Sequence, residues 1–173
     1  MPHPYSGFTA ALSRLQAGSR GRVRVRSADP QSAPAIHYNY LSAEGERRRA
    51  VDGLKFVRRL ACTPPLANYV AEGMQPGARV QSDADWLAFC RETGDTVFHP
   101  TSTCRMGDDA RAVVDARLRV RRLAGLRVID ASIMPAVASG NINAAVFALA
   151  EKGADLVRED ANRADTANRS AQE

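Results

Sequence analysis

Two short segments of the chain hold the side chains best suited to chemistry, and the first begins at a histidine. His99 follows the apolar pair Val97-Phe98 and precedes Pro100. Because a residue before proline is pushed toward extended geometry, His99 is predicted to lie where a strand ends in a fixed loop. Imidazole, whose reference pKa is about 6.5, can accept a proton near neutral pH. Taken alone, however, such a histidine is more often a loop or core residue than a catalytic one.

The second segment places polar side chains just before an apolar stretch. Asp130 ends a strand-like run, and Asn141 and Asn143 precede residues that are nearly all apolar through Ala150. Asparagine is well suited to capping a helix, so both amides are candidates for that structural role. The pattern predicts a helix over residues 143–157.

The elements that position these segments follow from hydrophobic periodicity. Alternating residues predict a strand over 22–26 and an extended segment over 35–38. Apolar residues at helical spacing predict a helix over 44–62, which Pro64-Pro65 ends. Ser82 and Asp85 have the spacing of a capping box, which predicts a second helix with Trp86 on its inner face.

The chain between the two chemical segments is predicted to form short strands. Residues 96–99 are expected to form one, and residues 113–114, 118–120 and 126–130 are further strand-like runs. Asp115 is predicted to fix the turn before Leu118. Beyond residue 157 the chain is polar and alanine-rich, which predicts a frayed tail.

Length and composition indicate an ordinary folded domain. The 173 residues are 45% hydrophobic and 25% charged, which is enough for one domain with a core. No apolar run reaches the roughly 18 residues of a membrane span. The first residues lack the pattern of a signal peptide. We therefore expect a cytoplasmic protein, with peripheral membrane association left open.

Charge and cysteine content exclude some classes of function. The net charge is +5, but the arginines are spread along the chain and no motif of a nucleic-acid reader accompanies them. We expect no nucleic-acid partner. The three cysteines are far apart and fit neither a disulfide framework nor a zinc site. We expect a reducing compartment and no metal.

Several motifs in this order resemble one known family. The run His99-Pro100-Thr101-Ser102-Thr103-Cys104-Arg105-Met106-Gly107 is similar to the signature of the glucose–methanol–choline (GMC) flavoprotein oxidoreductases. So are Gly125-Leu126-Arg127-Val128, Asp130-Ala131-Ser132 and the earlier Ser19-Arg20-Gly21-Arg22-Val23. The resemblance extends from about residue 7 to residue 157 and is strongest to the choline-dehydrogenase-like branch.

The resemblance implies an α+β fold in which helices flank an antiparallel sheet. Residues 7–112 would form the substrate-binding region, and residues 113–157 a return segment that packs on an FAD-binding domain. The C-terminal strand and helix would complete that α/β domain, whose glycine fingerprint these residues do not contain. Residues 158–173 are expected to be a disordered tail.

The resemblance also assigns chemistry. Members of the family oxidise an alcohol by removing its hydroxyl proton and passing a hydride to FAD. By this resemblance His99 is the proton acceptor and Asn141 is a second catalytic residue, whose amide binds the substrate oxygen without titrating. Asp130-Ala131 and Asn143-Ala144 correspond to segments that approach FAD, and the capping role stays open for Asn143.

Two features qualify this assignment. Arg122 stands where the family commonly has glycine, so the turn there must differ or carry strain. The chain resembles only the C-terminal part of the family, so we expect that it does not retain FAD alone and needs a separate FAD-binding half. The alternative is an inactive remnant or a protein-binding fragment with an uncovered apolar surface.

Overall fold

The computed structural model describes residues 6–170 in two compact units, which divide between Val97 and Phe98. The expected division after residue 112 does not coincide with this boundary. It would separate two hydrogen-bonded segments, because the N–H of Val113 donates to the carbonyl of Arg105 over 2.9 Å. The compact unit that contains residues 113–157 therefore also contains the loop that begins at His99.

The first unit contains a two-stranded antiparallel sheet and two helices. Strand β1 (Arg22–Arg24) pairs with β2 (Ala35–His37), and Val23 lies opposite Ile36. Both strands were expected, although each is shorter than its sequence pattern. Helix α1 spans Glu44–Ala61, a short 3-10 helix spans Leu66–Tyr69, and helix α2 spans Asp83–Thr93.

The predicted capping box opens α2. The Ser82 hydroxyl accepts from the N–H of Asp85 over 3.2 Å, and the Asp85 carboxylate accepts from the N–H of Ser82 over 2.9 Å. This start turns Trp86 inward, where it is 2% exposed. The guanidinium of Arg58 on α1 lies over the indole ring, 4.2 Å from its centroid. A cation above an indole face is attracted by the ring quadrupole, so this contact fastens α1 to α2.

A buried carboxylate organises the start of α1. Glu46 is 4% exposed and accepts hydrogen bonds from the N–H groups of Gly18 (2.6 Å) and Ser19 (2.9 Å). The Ser19 hydroxyl also donates to Glu46, and it accepts from the N–H of Ser42. Burial by itself raises the pKa of Glu46, but these hydrogen bonds and the Arg14 guanidinium outweigh it and lower the pKa.

The second unit is built from single bridges rather than regular strands. Met106 pairs with Val114, Val114 with Val120, and Arg119 with Arg127. The expected runs around 114, 119 and 127 therefore meet but do not extend, and no strand forms over residues 96–99. Phe98 has φ of +58°, a left-handed conformation that cannot continue a strand.

The core of the second unit lies between these bridges and helix α3 (Asn143–Ser170). Four residues from different segments form it: Val114, Leu118, Ile133 and Leu156. The prediction for Asp115 is confirmed, since its carboxylate accepts from the N–H groups of Arg117 (2.8 Å) and Arg119 (2.9 Å). These bonds hold Leu118 in the core at φ +62°.

The prediction of a disordered tail is wrong for residues 158–170, which continue α3. Composition alone favoured fraying, but this part of the helix carries Asp160, which is bonded by three arginines. Residues 171–173 lie outside the described residues.

The Glu46 network predicts a specific dependence of stability on pH. A group with a lowered pKa stabilises the fold above its unfolded pKa, and that contribution is lost as the pH falls through its folded pKa. Glu46→Gln should lower the free energy of unfolding by about 1–2 kcal/mol at pH 7. The difference from the parent chain should shrink below about pH 4. Denaturant melts across this range measure it, with Glu44→Gln on the exposed side of the same turn as a control. A constant difference down to pH 3 would contradict the assignment.

Candidate active site

The His99 loop and the Asp130 segment lie side by side in the second unit. The N–H of Cys104 donates to the carbonyl of Ser132 over 3.0 Å, and the N–H of Met106 donates to the carbonyl of Ile133 over 2.8 Å. Ile133 is fully buried, so its packing in the core fixes the position of this backbone pairing. The two segments that the sequence singled out are therefore joined by their backbones.

His99 is half-buried at the start of this loop. Within residues 6–170 its imidazole has no hydrogen-bond partner, which leaves both ring nitrogens available to another group. Left-handed backbone stands close to it on both sides, at Phe98 (φ +58°) and Ser102 (φ +74°). Such conformations in non-glycine residues carry strain and are held by surrounding contacts. The ring is thus carried by a loop of defined shape.

Asp130 and Ala131 begin a short 3-10 helix, Ala131–Ile133. The Asp130 side chain is exposed, and its Oδ1 accepts from the N–H of Ser132 over 2.7 Å. This bond orients the carboxylate and leaves Oδ2 at the surface. Ala131 is half-buried and has only a methyl group, so a ligand can approach its backbone closely.

Asn141 and Asn143 form the opening of α3. The Asn141 Oδ1 accepts from the N–H of Asn143 over 2.9 Å, which is the capping geometry left open by the sequence. Since a backbone N–H can only donate, the bond fixes which way the amide faces and leaves the Asn141 Nδ2 as a free donor. Among the described residues, none accepts a hydrogen bond from the N–H of Ala144. This end of α3 therefore presents donors.

A glycine sets the distance between α3 and the Asp130 segment. Gly153 is buried, and a Cβ at this position would lie 2.4 Å from Cγ2 of Ile129. Only a residue without a side chain permits this approach. Ile129 directly precedes Asp130, so the contact relates the position of α3 to the start of the 3-10 helix.

Asp160 fastens the other half of α3 to the bridged segments. Its Oδ1 accepts from Arg117 over 2.7 Å, and its Oδ2 accepts from Arg119 and Arg127. Hydrogen bonds from Arg119, then Arg127 and Arg117, hold the pKa of Asp160 well below its usual range. Arg117 also pairs with Glu159 over 3.0 Å.

Sequence reasoning missed both Gly153 and Asp160. A glycine inside a helical pattern is itself a signal, because it costs stability unless close packing requires it. The signal for Asp160 was weaker. Its partners are distant in sequence, and a single acid in an alanine-rich tail resembles a solvated residue.

Comparison with known proteins assigns the chain to a family. Residues 17–150 match the family model described as GMC oxidoreductase. The chain belongs to the GMC oxidoreductase family. The matched region includes all the candidate site residues, from His99 to Ala144.

Curated relatives of the chain include oxygen-dependent choline dehydrogenases. That of Yersinia pseudotuberculosis serotype O:1b is 43% identical over 152 residues, which cover 88% of this chain and 27% of that protein. That of Serratia proteamaculans is 43% identical over 153 residues, which cover 88% of this chain and 28% of that protein. The chain therefore spans little more than a quarter of the length of these relatives.

Solved structures share its fold. Pyridoxine 4-oxidase from Mesorbium loti aligns with a TM-score of 0.78 at 36% identity, covering 84% of this chain and 28% of that one. An FAD-dependent oxidoreductase from Chaetomium thermophilum aligns with a TM-score of 0.78 at 28% identity, covering 86% and 26%. FAD is thus a cofactor within this family.

Two further observations concern the described part of the chain. No helix within residues 6–170 is long and apolar enough to cross a membrane. The same residues contain no group of three or more histidine, cysteine or acidic side chains arranged to hold a metal ion.

The close contact at Gly153 makes a testable prediction. Gly153→Ala should lower the free energy of unfolding by about 1–2 kcal/mol, because overpacking against Ile129 outweighs the better helix propensity of alanine. Gly45→Ala on α1 is the matched control. A Cβ there would lie 3.9 Å from only the flexible end of Arg49, so this change should stabilise the chain. The double variant Gly153→Ala/Ile129→Ala should lose less free energy of unfolding than the sum of the losses in the two single variants. Strictly additive losses would argue against the contact.

The bonds from Arg117, Arg119 and Arg127 to Asp160 predict that the C-terminal part of α3 is well ordered. Asp160→Asn removes the charge that three arginines share, so amide hydrogen exchange should accelerate in residues 158–170. Asp165→Asn, an exposed change on the same helix, should leave exchange there unaltered. The lowered pKa of Asp160 means that its contribution persists from neutral pH to below about pH 4 and is lost only in stronger acid. Equal exchange in both variants would refute the role of the cluster.

Proposed function

We propose that this chain provides the substrate-facing part of an FAD-dependent enzyme that oxidises an alcohol, with His99 as the proton acceptor. The observation that carries the proposal is the backbone bonding of the His99 loop to the Asp130 segment, through Cys104 and Met106. In a member of the GMC family, this pairing supports the proposal because it joins the loop that begins with the proposed proton acceptor to a segment suited to the cofactor.

His99 accepts the hydroxyl proton of the substrate. A neutral imidazole with an unbonded ring nitrogen is a competent general base at neutral pH. When bound, FAD would accept a hydride from the carbon that carries the hydroxyl group. Loss of the proton and of the hydride together is a two-electron oxidation of the alcohol to a carbonyl. The protein's contribution is to place the base and to hold the alcohol oxygen near it.

Asn141 donates to the substrate oxygen through its Nδ2. The bond from the N–H of Asn143 to Oδ1 supports this role because it orients the amide before substrate binds. An amide does not ionise at neutral pH, so its donor stays available whatever the protonation state of His99. Asn141 thus combines helix capping with substrate positioning.

The residues that would hold FAD have a donor set that fits it. The unbonded N–H of Ala144, at the start of α3 near Asn143, can meet partial negative charge on a flavin carbonyl. Ala131 and Ala144 have only methyl side chains, which allow the backbone to approach a planar ring. Asp130 shapes its own segment through the N–H of Ser132.

The cofactor itself would be enclosed by a second, FAD-binding half of the enzyme. Phe147 on α3 is 67% exposed, and Val25, just beyond β1, is 86% exposed. Apolar side chains in such positions favour a partner surface. The described cysteines are free, which suits a cytoplasmic enzyme. The same exposed residues also favour the alternative, a fragment that binds protein without catalysis.

Flavin retention separates these two functions. The purified chain is mixed with an FAD-loaded N-terminal half from a GMC enzyme, and flavin absorbance is measured after gel filtration. We expect flavin to co-elute with the mixture and not with this chain alone. Co-elution of the two proteins without any alcohol-dependent bleaching would favour the non-catalytic fragment.

In such a reconstituted enzyme, His99→Ala should slow reduction of the flavin by alcohol about 10²–10⁴-fold, because the proton acceptor is lost. His37→Ala, an exposed histidine on β2, serves as the control and should have no effect. Stopped-flow absorbance gives the rate. An unchanged rate for His99→Ala would exclude it as the base.

A further inference from the structure

The loop that carries His99 is fastened to the rest of the second unit at Cys104. The N–H of Cys104 donates to the carbonyl of Ser132 over 3.0 Å. Between these two points, the backbone of residues 99–103 makes no hydrogen bond to any group within residues 6–170. The position of the imidazole relative to Ser132 therefore depends on the torsions and side chains of the loop itself.

One pair of hydroxyl groups is bonded inside this stretch. Oγ1 of Thr101 lies 3.1 Å from Oγ of Ser102, and both side chains are half-buried. A hydroxyl group can donate and accept, so the pair is bonded whichever of the two donates. The next residue, Thr103, is exposed, and its hydroxyl has no partner in the described part of the chain. Thr101 and Ser102 thus share a bond that their neighbour does not make.

The ring that this bond closes contains the strained torsion of the loop. It runs from Oγ1 of Thr101 through both Cα atoms to Oγ of Ser102, so it includes ψ of Thr101 and φ of Ser102. The φ of Ser102 is +74°, in the left-handed region that non-glycine residues seldom adopt. A bond across that torsion opposes its return to the usual region. The hydroxyl pair therefore holds the bend in the loop.

The torsions between this bend and the imidazole have little freedom of their own. The ring of Pro100 fixes its φ at about −65°. The same ring disfavours helical backbone at His99, the residue before it. From the Cys104 bond back to His99, the path of the chain is therefore decided mainly at residues 101–103. A bond that fixes two torsions in the middle of this stretch also fixes where the imidazole stands.

From this arrangement we infer that Thr101 and Ser102 are positioning residues for His99. They act on the reaction through the shape of the loop, which their hydroxyl bond maintains. A base that is already held in place meets the alcohol without a search over loop conformations, and small misplacements of such a group slow a reaction strongly. The inference rests on the proposed role of His99 as the base. The order of the imidazole ring that it requires can be measured without catalysis.

Stopped-flow reduction of the flavin in the reconstituted enzyme tests the inference. Thr101→Val keeps the branched shape and removes the hydroxyl, so it should slow reduction about tenfold at saturating alcohol and leave the apparent Kd of the alcohol unchanged. Thr101→Ser keeps the hydroxyl and should react like the parent. Thr103→Val, the same change at the exposed neighbour, is the matched control. Adding Ser102→Ala to Thr101→Val should cause little further loss, because both changes break one bond.

NMR spectra of the histidine rings in the purified chain give the second readout. The His99 signals, identified by their loss in His99→Ala, should broaden or split in Thr101→Val and stay unchanged in Thr101→Ser and Thr103→Val. Unperturbed His99 signals in Thr101→Val, or equal slowing in Thr103→Val, would overturn the inference. If His99→Ala slows the reaction and Thr101→Val does not, the inference fails while the proposed function stands. A parent rate in His99→Ala would overturn both.

Discussion

The contact between Gly153 and Ile129 is the constraint on which the second unit depends. It brings the axis of α3 closer to the bridged segments than any side chain at position 153 would allow. Leu156, one turn further along α3, then reaches the core beside Val114. Because Asn141 opens α3 and Asp130 follows Ile129, this one close approach also relates the two ends of the candidate site.

Two carboxylates fix irregular backbone segments that regular strands would otherwise hold in place. Glu46 gathers the N–H groups before α1, and Asp160 gathers three arginines against α3. In both cases the acid is held ionised, because hydrogen bonds to the charged form outweigh the cost of partial burial. Charge-assisted bonds are directional, so they can fix irregular backbone that has few ladder bonds of its own.

Left-handed backbone recurs where the second unit changes direction. The Asp115 turn holds Leu118 in this conformation. Burial of the Leu118 side chain, which is 3% exposed, offsets the backbone strain. Arg122 has the same conformation without burial. The same backbone conformation is therefore offset by burial at one position and stands at an exposed residue at the other.

Local sequence determined the parts of this protein that depend on neighbouring residues. Helix α1, the Ser82–Asp85 cap of α2, the Asp115 turn and the GMC motifs could all be predicted, because spacing and side-chain type decide them within a few residues. Only the tertiary structure decided that the expected strands meet as single bridges and that α3 continues to Ser170. Those outcomes depend on partners distant in the chain, such as Arg117 for Asp160. No local pattern specifies which distant groups will meet.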